Sequence, residues 1–496
     1  MTFWKLVSDA AEAAPGRVLL ADDHGRSLTT AGLRDAAERV AAGLPVRPGT
    51  VVSWQLPTTI EAIVLLAALA RAGAVQNPII PMLREREVGL ITKAVGTELF
   101  ISAETWRGFG HAAMARALGL EVISVDLDGL DHDGAVANTL RLPTGDPAVL
   151  AAPAQSAADC RWLYFTSGTT ADPKGVRHSD ESVMASALGM TEHLGFGDGD
   201  VYPIAYPVTH IGGMTMTAAA LRKGGRLVLL DTWDPATTPA RVAKHRPTIL
   251  GTAQPFFRAY LDAQARHGAE PLFPALRTCA AGGAPTPPEL LRELVEVFGI
   301  RGVVNAYGLT EFPIATSPTV DDPPEVLAET VGRCSPGVQV RVVDGELRLK
   351  GPQCFLGYTD PAQNAGAFDD EGWFRTGDLG EVDSRGDIRI TGRLKDIIIR
   401  NAENISALEI SDILLKHPHI ADVAVIGLPD PRTGERVCAV VVPEPGRTIT
   451  LAQVAEHCRA EGVARQKHPE QLEIIDVLPR NSMGKILAQQ LRDRFA

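Results

Sequence analysis

The chain has 496 residues, with 48 Lys and Arg against 60 Asp and Glu for a net charge of -12. That acidity excludes a general electrostatic grip on nucleic acid or an anionic membrane, and 45% hydrophobic residues exclude the composition of a disordered chain. At ~100 to 200 residues per domain, the length calls for two to four folded units.

The first ~150 residues alternate helical spacing with short apolar runs. Thr30 to Leu44 and Thr59 to Ala72 read as helices, and Val51 to Trp54 and Leu99 to Ile101 as strands. The alternation predicts an α/β architecture with a parallel sheet covered by helices. Val201 to Leu221 lacks Asp, Glu, Lys and Arg, but Pro203, Pro207, Gly212 and Gly213 interrupt it, so it reads as a loop entering a buried helix and no transmembrane segment is expected. Strand-like runs recur at Gly225 to Asp231, Thr248 to Gly251 and Leu276 to Ala281. From about 331 to 390 the pattern turns β-rich, with Val338 to Val343, Glu346 to Lys350 and Asp387 to Thr391 predicting a small barrel-like subdomain. After Arg393 come helices predicted at Ala407 to His417 and Thr450 to Gly462. Strands predicted at Val423 to Ile426 and Val437 to Val442 flank the turn-forming stretch Pro429 to Gly434. The expected division is a large N-terminal domain, 1–393, and a smaller mobile α+β C-terminal domain, 394–496.

The six cysteines show no C-x-x-C spacing, which suggests neither a zinc site nor a redox pair. They read as buried thiols in a reducing compartment. No charged start followed by an apolar core opens the chain, so no signal peptide is expected and the cytoplasm is the expected location.

Leu163-Tyr-Phe-Thr-Ser-Gly-Thr-Thr-Ala-Asp-Pro-Lys-Gly175 carries the clearest chemistry. An apolar run opens into hydroxyls, glycine and one lysine, a set that can converge N–H and O–H donors on phosphate oxygens with Lys174 adding charge. Taken alone, its composition reads more readily as a polar surface loop. It is not a Walker A loop, since no Gly-Lys pair followed by Ser or Thr has the required spacing. Six more distinctive stretches follow in order: Tyr206 to Gly213, Ala280 to Pro285, Asn305-Ala-Tyr-Gly-Leu-Thr-Glu311, Phe374-Arg-Thr-Gly-Asp-Leu-Gly380, Gly392 to Asn404, and Pro479-Arg-Asn-Ser-Met-Gly-Lys485.

This ordered set resembles the adenylate-forming superfamily, which includes acyl-CoA synthetases, adenylation domains of peptide synthetases and firefly luciferase. The resemblance spans essentially the whole chain. It implies that a carboxylic acid attacks the α-phosphate of ATP to give an acyl-adenylate and pyrophosphate, and that the acyl group then passes to a thiol. Thr166, Ser167, Gly168, Thr169, Thr170 and Lys174 are implied to hold the phosphates. Gly283, Ala284 and Pro285 line the adenine, with Tyr307 stacked on it and Asn305 beside it. Thr310 touches the α-phosphate and Glu311 holds Mg²⁺. Asp378 accepts the ribose hydroxyls, as a carboxylate with two oxygens can, and Arg393 stands beside it. Lys485 bridges the carboxylate and α-phosphate during adenylation, and Lys395 is the hinge about which the C-terminal domain rotates for thioester formation. His210 gates the acyl carboxylate. Gly213, Gln254 and Gly282 are candidate substrate contacts, with Phe256 and Phe257 as further wall candidates. Three positions depart from the family pattern: Ala171 and Ala402 stand where Gly is usual, Ala402 on the CoA path, and Asn481 stands where Thr is usual.

Relatives that activate amino acids place a carboxylate soon after the gate, and Thr209 to Leu221 has none. The chain stops eleven residues after Lys485 without a carrier domain, so free CoA is the expected acceptor. Asn77 to Glu87 and Asp396 to Pro431 resemble bacterial ligases for medium-chain or alicyclic acids such as cyclohexanecarboxylate. The reading is an acyl-CoA synthetase using ATP, Mg²⁺ and CoA on a bulky apolar acid, with a homodimer allowed. Its alternatives are a stand-alone enzyme that loads a carrier protein and a catalytically silent nucleotide binder.

Overall fold

The structure is a computed structural model that describes residues 1–127, 140–166, 173–284, 286–401 and 403–496. It is a mixed α/β protein with a large N-terminal and a smaller C-terminal domain.

A six-stranded sheet runs in the order Val122–Val125, Leu99–Ala103, Val51–Gln55, Val75–Pro78, Cys160–Thr166, Lys174–Ser179. Its strands pair in parallel except the last two, an antiparallel hairpin in which Thr166 lies opposite Lys174. A four-stranded sheet orders Ser27–Thr29, Val18–Asp22, Arg226–Leu229 and Val201–Ile204. Between the two sheets lies the helix Ile60–Ala72, which touches Val75–Pro78 on one side and Val18–Asp22 on the other. That placement explains its sequence: a helix walled on two sides is apolar all round, and every residue from Ile60 to Leu69 is buried. Thr59 caps its start, accepting the Ala62 N–H at 3.3 Å, and Gly73 ends it at φ +74°, where a side chain would be strained.

The third sheet, Ile249–Thr252, Thr278–Ala281 and Val303–Asn305, is entirely parallel. All three strands point the same way, so the loops after their carboxyl ends gather on one side, the usual ligand side of such a sheet. An antiparallel sheet follows, Gln339–Val343, Glu346–Lys350, Phe374–Val382 and Ile388–Arg393. The last domain holds Glu403–Ser406, Ile397–Arg400, Gly434–Pro443 and Ile420–Asp430, with Gln471–Ile474 added in parallel.

The structure adjusts two predictions. Val201–Leu221 opens with a buried strand, Val201–Ile204, before the loop and the helix Ile211–Lys223. The strand expected at Val423 to Ile426 extends over Ile420–Asp430, because it forms a long hairpin with Gly434–Pro443 that pairs up to Asp430 and Gly434. Among the described residues no helix is long and apolar enough to cross a membrane.

Candidate active site

The loops after the parallel strands open into a cavity of about 1550 Å³ between the two domains. Gln254, Gly282, Gly283, Ala284, Asn305 and Tyr307 line it from the third sheet. Thr166 and Lys174, opposite each other at the end of the hairpin, line it together with His210, Thr310 and Glu311, and Asp378, Arg393, Lys395 and Lys485 close it. These expected residues, far apart in sequence, therefore share one space. Ser167, Gly168, Thr169, Thr170, Ala171, Pro285 and Ala402 lie outside the described residues.

The Asp378 corner follows from strand register. Antiparallel pairing sets Asp378 directly opposite Arg393, and Arg393 Nε donates to Asp378 Oδ1. Tyr307 Oη donates to Oδ2 at 2.7 Å. Thr376 Oγ1 accepts the Asp378 N–H at 3.0 Å, and Gly377, at φ +70°, turns the strand between them. Each carboxylate oxygen retains a free lone pair, so the group can still accept two hydroxyls. Burial, then the Asp378 charge, pushes the Tyr307 hydroxyl well above its ordinary pKa.

Glu311 is buried and accepts from Tyr358 Oη at 2.8 Å. The Lys174 ammonium sits 5.2 Å from the centre of the Tyr358 ring. Tyr358 thus joins the phosphate lysine to the expected metal ligand, a contact no local motif signalled. A carboxylate with a second oxygen to offer suits a hard cation that also takes phosphate oxygens, so the residue fits Mg²⁺.

His210 caps the helix Ile211–Lys223. Its Nδ1 accepts the Gly212 N–H at 3.2 Å, which leaves the ring proton on Nε2. Burial pushes its pKa down to about 4, so the ring is a neutral donor. Gly213, expected as a substrate contact, does not line the cavity. A Cβ there would lie 2.3 Å from Val208 O, so its smallness serves close helix packing. Gly212, Thr215 and Met216, at i, i+3 and i+4, form the face that lines the space instead. Phe256 and Phe257 are likewise buried away from it, with Phe256 packed on Trp233 at 4.7 Å between ring centres. Met190, Tyr202, Tyr206 and Ile314 supply the apolar wall that the sequence reading missed.

Lys485 ends a loop shaped by Asn481, whose Oδ1 accepts the N–H groups of Met483 and Lys485, both at 3.0 Å. Arg480 braces it, donating to Gly484 O at 2.6 Å and Asp422 Oδ2 at 2.7 Å. Asn481 in place of the usual Thr therefore folds the loop through its own side chain. Gly484 has φ +80°, and a Cβ there would meet Pro255 at 3.0 Å, so this loop packs against the N-terminal domain. Burial, then the charges of Arg393 and Lys395, lower the Lys485 pKa to about 8 against the pull of Asp378 and Asp396. Lys395 is lowered by the same two causes, burial and Arg393. The cavity closes on a crowd of cations, which is what an incoming polyphosphate would neutralise.

The profile of the AMP-binding enzyme family matches residues 7–359, and that of the AMP-binding enzyme C-terminal domain matches 409–485. The chain is 32% identical over 513 residues to the medium-chain fatty-acid–CoA ligase of Escherichia coli (strain K12), covering 99% of this chain and 89% of that one. It is 32% identical over 492 residues to the 3-[(3aS,4S,7aS)-7a-methyl-1,5-dioxo-octahydro-1H-inden-4-yl]propanoyl:CoA ligase of Mycobacterium tuberculosis (strain ATCC 25618 / H37Rv), covering 96% and 95%. Among solved structures, ATP-bound MatB from Rhodopseudomonas palustris superposes with a TM-score of 0.87 at 29% identity, over 100% of this chain and 99% of that one. With both profiles matched and the predicted motifs gathered on one cavity, the chain belongs to the AMP-binding enzyme family.

Proposed function

We propose that the protein is an AMP-forming acid–thiol ligase that activates a bulky apolar carboxylic acid, medium-chain or alicyclic, and transfers it to CoA. In the first step a carboxylate oxygen bonds to the α-phosphorus of ATP and the bond from that phosphorus to the bridging oxygen breaks, releasing pyrophosphate. In the second the CoA sulfur bonds to the acyl carbon, AMP leaves and the thiol proton passes to solvent.

The observation that carries this reading is the meeting, in one cavity, of Lys485 from one domain with the Tyr307–Asp378–Arg393 corner of the other. Asp378 takes the ribose diol; Tyr307 and Asn305 hold the adenine between themselves and Gly283–Ala284. Thr166, Thr310 and Lys174 take phosphate oxygens. Glu311 holds Mg²⁺, which when bound neutralises phosphate charge. The neutral His210 donates from Nε2 toward the acid, whose tail runs between Gly212, Gly282 and Gln254. Lys485 then stabilises the charge that builds between carboxylate and α-phosphate. Leu394–Asp396 forms a single tight turn between two strands, which suits Lys395 as the hinge between units 1–393 and 394–496. The six cysteines are unpaired, in keeping with a reducing cytoplasm, although only Cys279, Cys438 and Cys458 are buried as expected and Cys160, Cys334 and Cys354 are half-buried.

The test is mass-spectrometric detection of products from purified protein, ATP, Mg²⁺ and CoA with aliphatic, alicyclic, aryl and sterol-derived acids. Acyl-CoA with release of AMP is expected for apolar acids. Adenylate without acyl-CoA, discharged instead onto a phosphopantetheinyl carrier protein, would replace CoA by a carrier as the acceptor; no adenylate with any acid would overturn the reading.

A further inference from the structure

His178 is fully buried and lies outside every motif to which a role is given above. It sits on the strand Lys174–Ser179, four residues after the phosphate lysine. Both ring nitrogens are engaged. Nε2 lies 2.7 Å from the backbone oxygen of Thr310, 132 residues away in sequence, and Nδ1 lies 2.8 Å from Ser182 Oγ. A carbonyl only accepts, so Nε2 carries the proton and Nδ1 faces the Ser182 hydroxyl as acceptor. Burial keeps the ring neutral, with its pKa near 4.

The bond to Thr310 O matters because that oxygen belongs to the peptide unit joining Thr310 to Glu311. A peptide is planar, so anchoring its oxygen fixes the plane and limits the directions in which both side chains leave the backbone. The same strand anchors the far side of Glu311. Val176, two residues before His178 and on the same strand face, bridges to the backbone of Tyr358, whose hydroxyl donates to Glu311. Leu309 and Phe312 close the turn with reciprocal backbone bonds at 3.2 and 3.1 Å, but these leave the Thr310 carbonyl to His178. Ser182 completes the arrangement: it lies in the first turn of the helix Asp180–His193 and in the capping box with Ser179, so the imidazole is seated on a rigid helix start.

We infer that His178 is a positioning residue for the adenylation step, holding the Thr310–Glu311 peptide so that the Thr310 hydroxyl and Glu311 carboxylate face the nucleotide phosphates in register with Lys174. The inference rests on the proposed adenylation. It sets His178 apart from a merely satisfied core histidine, because Glu311, on the peptide it anchors, is needed for the Mg²⁺-bound polyphosphate of adenylation, whereas the acyl-adenylate of the second step has already lost its pyrophosphate.

The experiment compares wild type, His178→Leu and His178→Gln in two assays: ATP–pyrophosphate exchange across a Mg²⁺ titration, and thioester formation from synthetic acyl-adenylate and CoA. His178→Leu is expected to slow exchange by about 10- to 100-fold, the scale of a small misplacement of reacting groups, and to raise the Mg²⁺ needed for half-maximal rate. Thioester formation should stay within about threefold. His178→Gln, which keeps an N–H donor, should recover most of the exchange. Equal loss in both assays, or wild-type exchange in His178→Leu, would overturn the inference. Ser182→Ala is the milder companion should His178→Leu not fold; it leaves the imidazole in place but unseated, and is expected to show the same Mg²⁺ shift at smaller size. An unshifted Mg²⁺ midpoint in a folded Ser182→Ala protein also counts against the role. Absence of exchange in the wild type would instead remove the adenylation reading, and this inference with it.

Discussion

The Asp378 corner and the Lys485 loop face the same cavity but are built on opposite principles. At the corner, strand register places opposite charges together: Asp378 has a partner on each oxygen before any ligand arrives. At the loop, like charges are brought together, and Lys485 is depressed to about 8 by burial and by Arg393 and Lys395. In the proposed reaction the corner is preorganised to receive a neutral diol at little cost. The loop holds a repulsion that Asp378 and Asp396 relieve only in part, so in the proposed reaction an incoming polyphosphate would stabilise its closed position.

The largest break in this comparison is Lys485→Ala. It should lower ATP–pyrophosphate exchange by about 10²- to 10³-fold, the usual loss on removing a transition-state charge contact, while thioester formation from supplied acyl-adenylate stays within a few-fold. Comparable loss in both assays would mean that the loop serves both steps. Asp378→Asn comes next. It strips the counter-charge from Arg393 at a buried site and should cost about 1 to 3 kcal/mol, read as roughly a 10- to 100-fold fall in kcat/KM for ATP. Because the corner binds ground state and transition state alike, most of that fall should appear in KM.

Much of this was legible in the sequence. The parallel strands, the β-rich stretch near 331–390 and the final α+β domain follow from hydrophobic period and turn signals, although the expected barrel-like subdomain is an open four-stranded sheet, and the ordered motifs name residues that line the cavity. Side-chain direction was less legible. Gly213 reads as room for substrate, yet it faces Val208, because one step along a helix turns a residue about 100° away from Gly212. Phe256 and Phe257 follow Gln254 on one helix and turn into the core for the same reason. Tyr358 and His178 were invisible because each gains its meaning from a partner dozens of residues away or more, Glu311 and the Thr310 carbonyl, and no local spacing encodes that.

A middle-sized effect tests the loop's scaffold. Asn481→Ala removes the acceptor of two N–H bonds and should slow exchange about tenfold, whereas Asn481→Thr should retain a larger share. The loop's charge has its own signature. A lysine with pKa about 8 in the closed, empty site is only half protonated at pH 8, and polyphosphate favours the charged form. ATP binding at pH 8 should therefore take up about half a proton, read by calorimetry in two buffers of different ionisation enthalpy. Lys485→Ala should lose that uptake, and equal uptake in both proteins would assign it elsewhere.

The smallest effect concerns a second like-charge contact across the same cleft. Asp412, on the C-terminal helix Ala407–Leu414, lines the cavity, and its pKa is raised to about 7 by burial and then by the charge of Glu289, with Lys416 pulling back. Glu289 opens the helix Pro288–Phe298 of the other domain. Its Oε1 pairs with Arg292 at 3.5 Å, and its buried Oε2 has no hydrogen-bond partner among the described residues. The sign follows from the raised value. The closed arrangement holds the Asp412 proton more tightly than an exposed carboxylate does, so it is unpenalised below about pH 4, loses ground as pH rises toward about 7, and carries the full penalty above that. Asp412→Asn removes the penalty without removing the side chain. The ratio of variant to wild-type exchange at sub-saturating ATP should already be rising at about pH 5.5, climb further to about pH 7 and level off above it at about two- to fivefold, the scale of a modest charge contact. Glu289→Gln should give a smaller rise over the same pH range, since it relieves the repulsion but not the burial of the Asp412 charge, and the double variant little more than Asp412→Asn alone. A Glu289→Gln ratio independent of pH would mean that the two carboxylates do not meet when Lys485 is in place, and that the closing repulsion acts at the lysine alone.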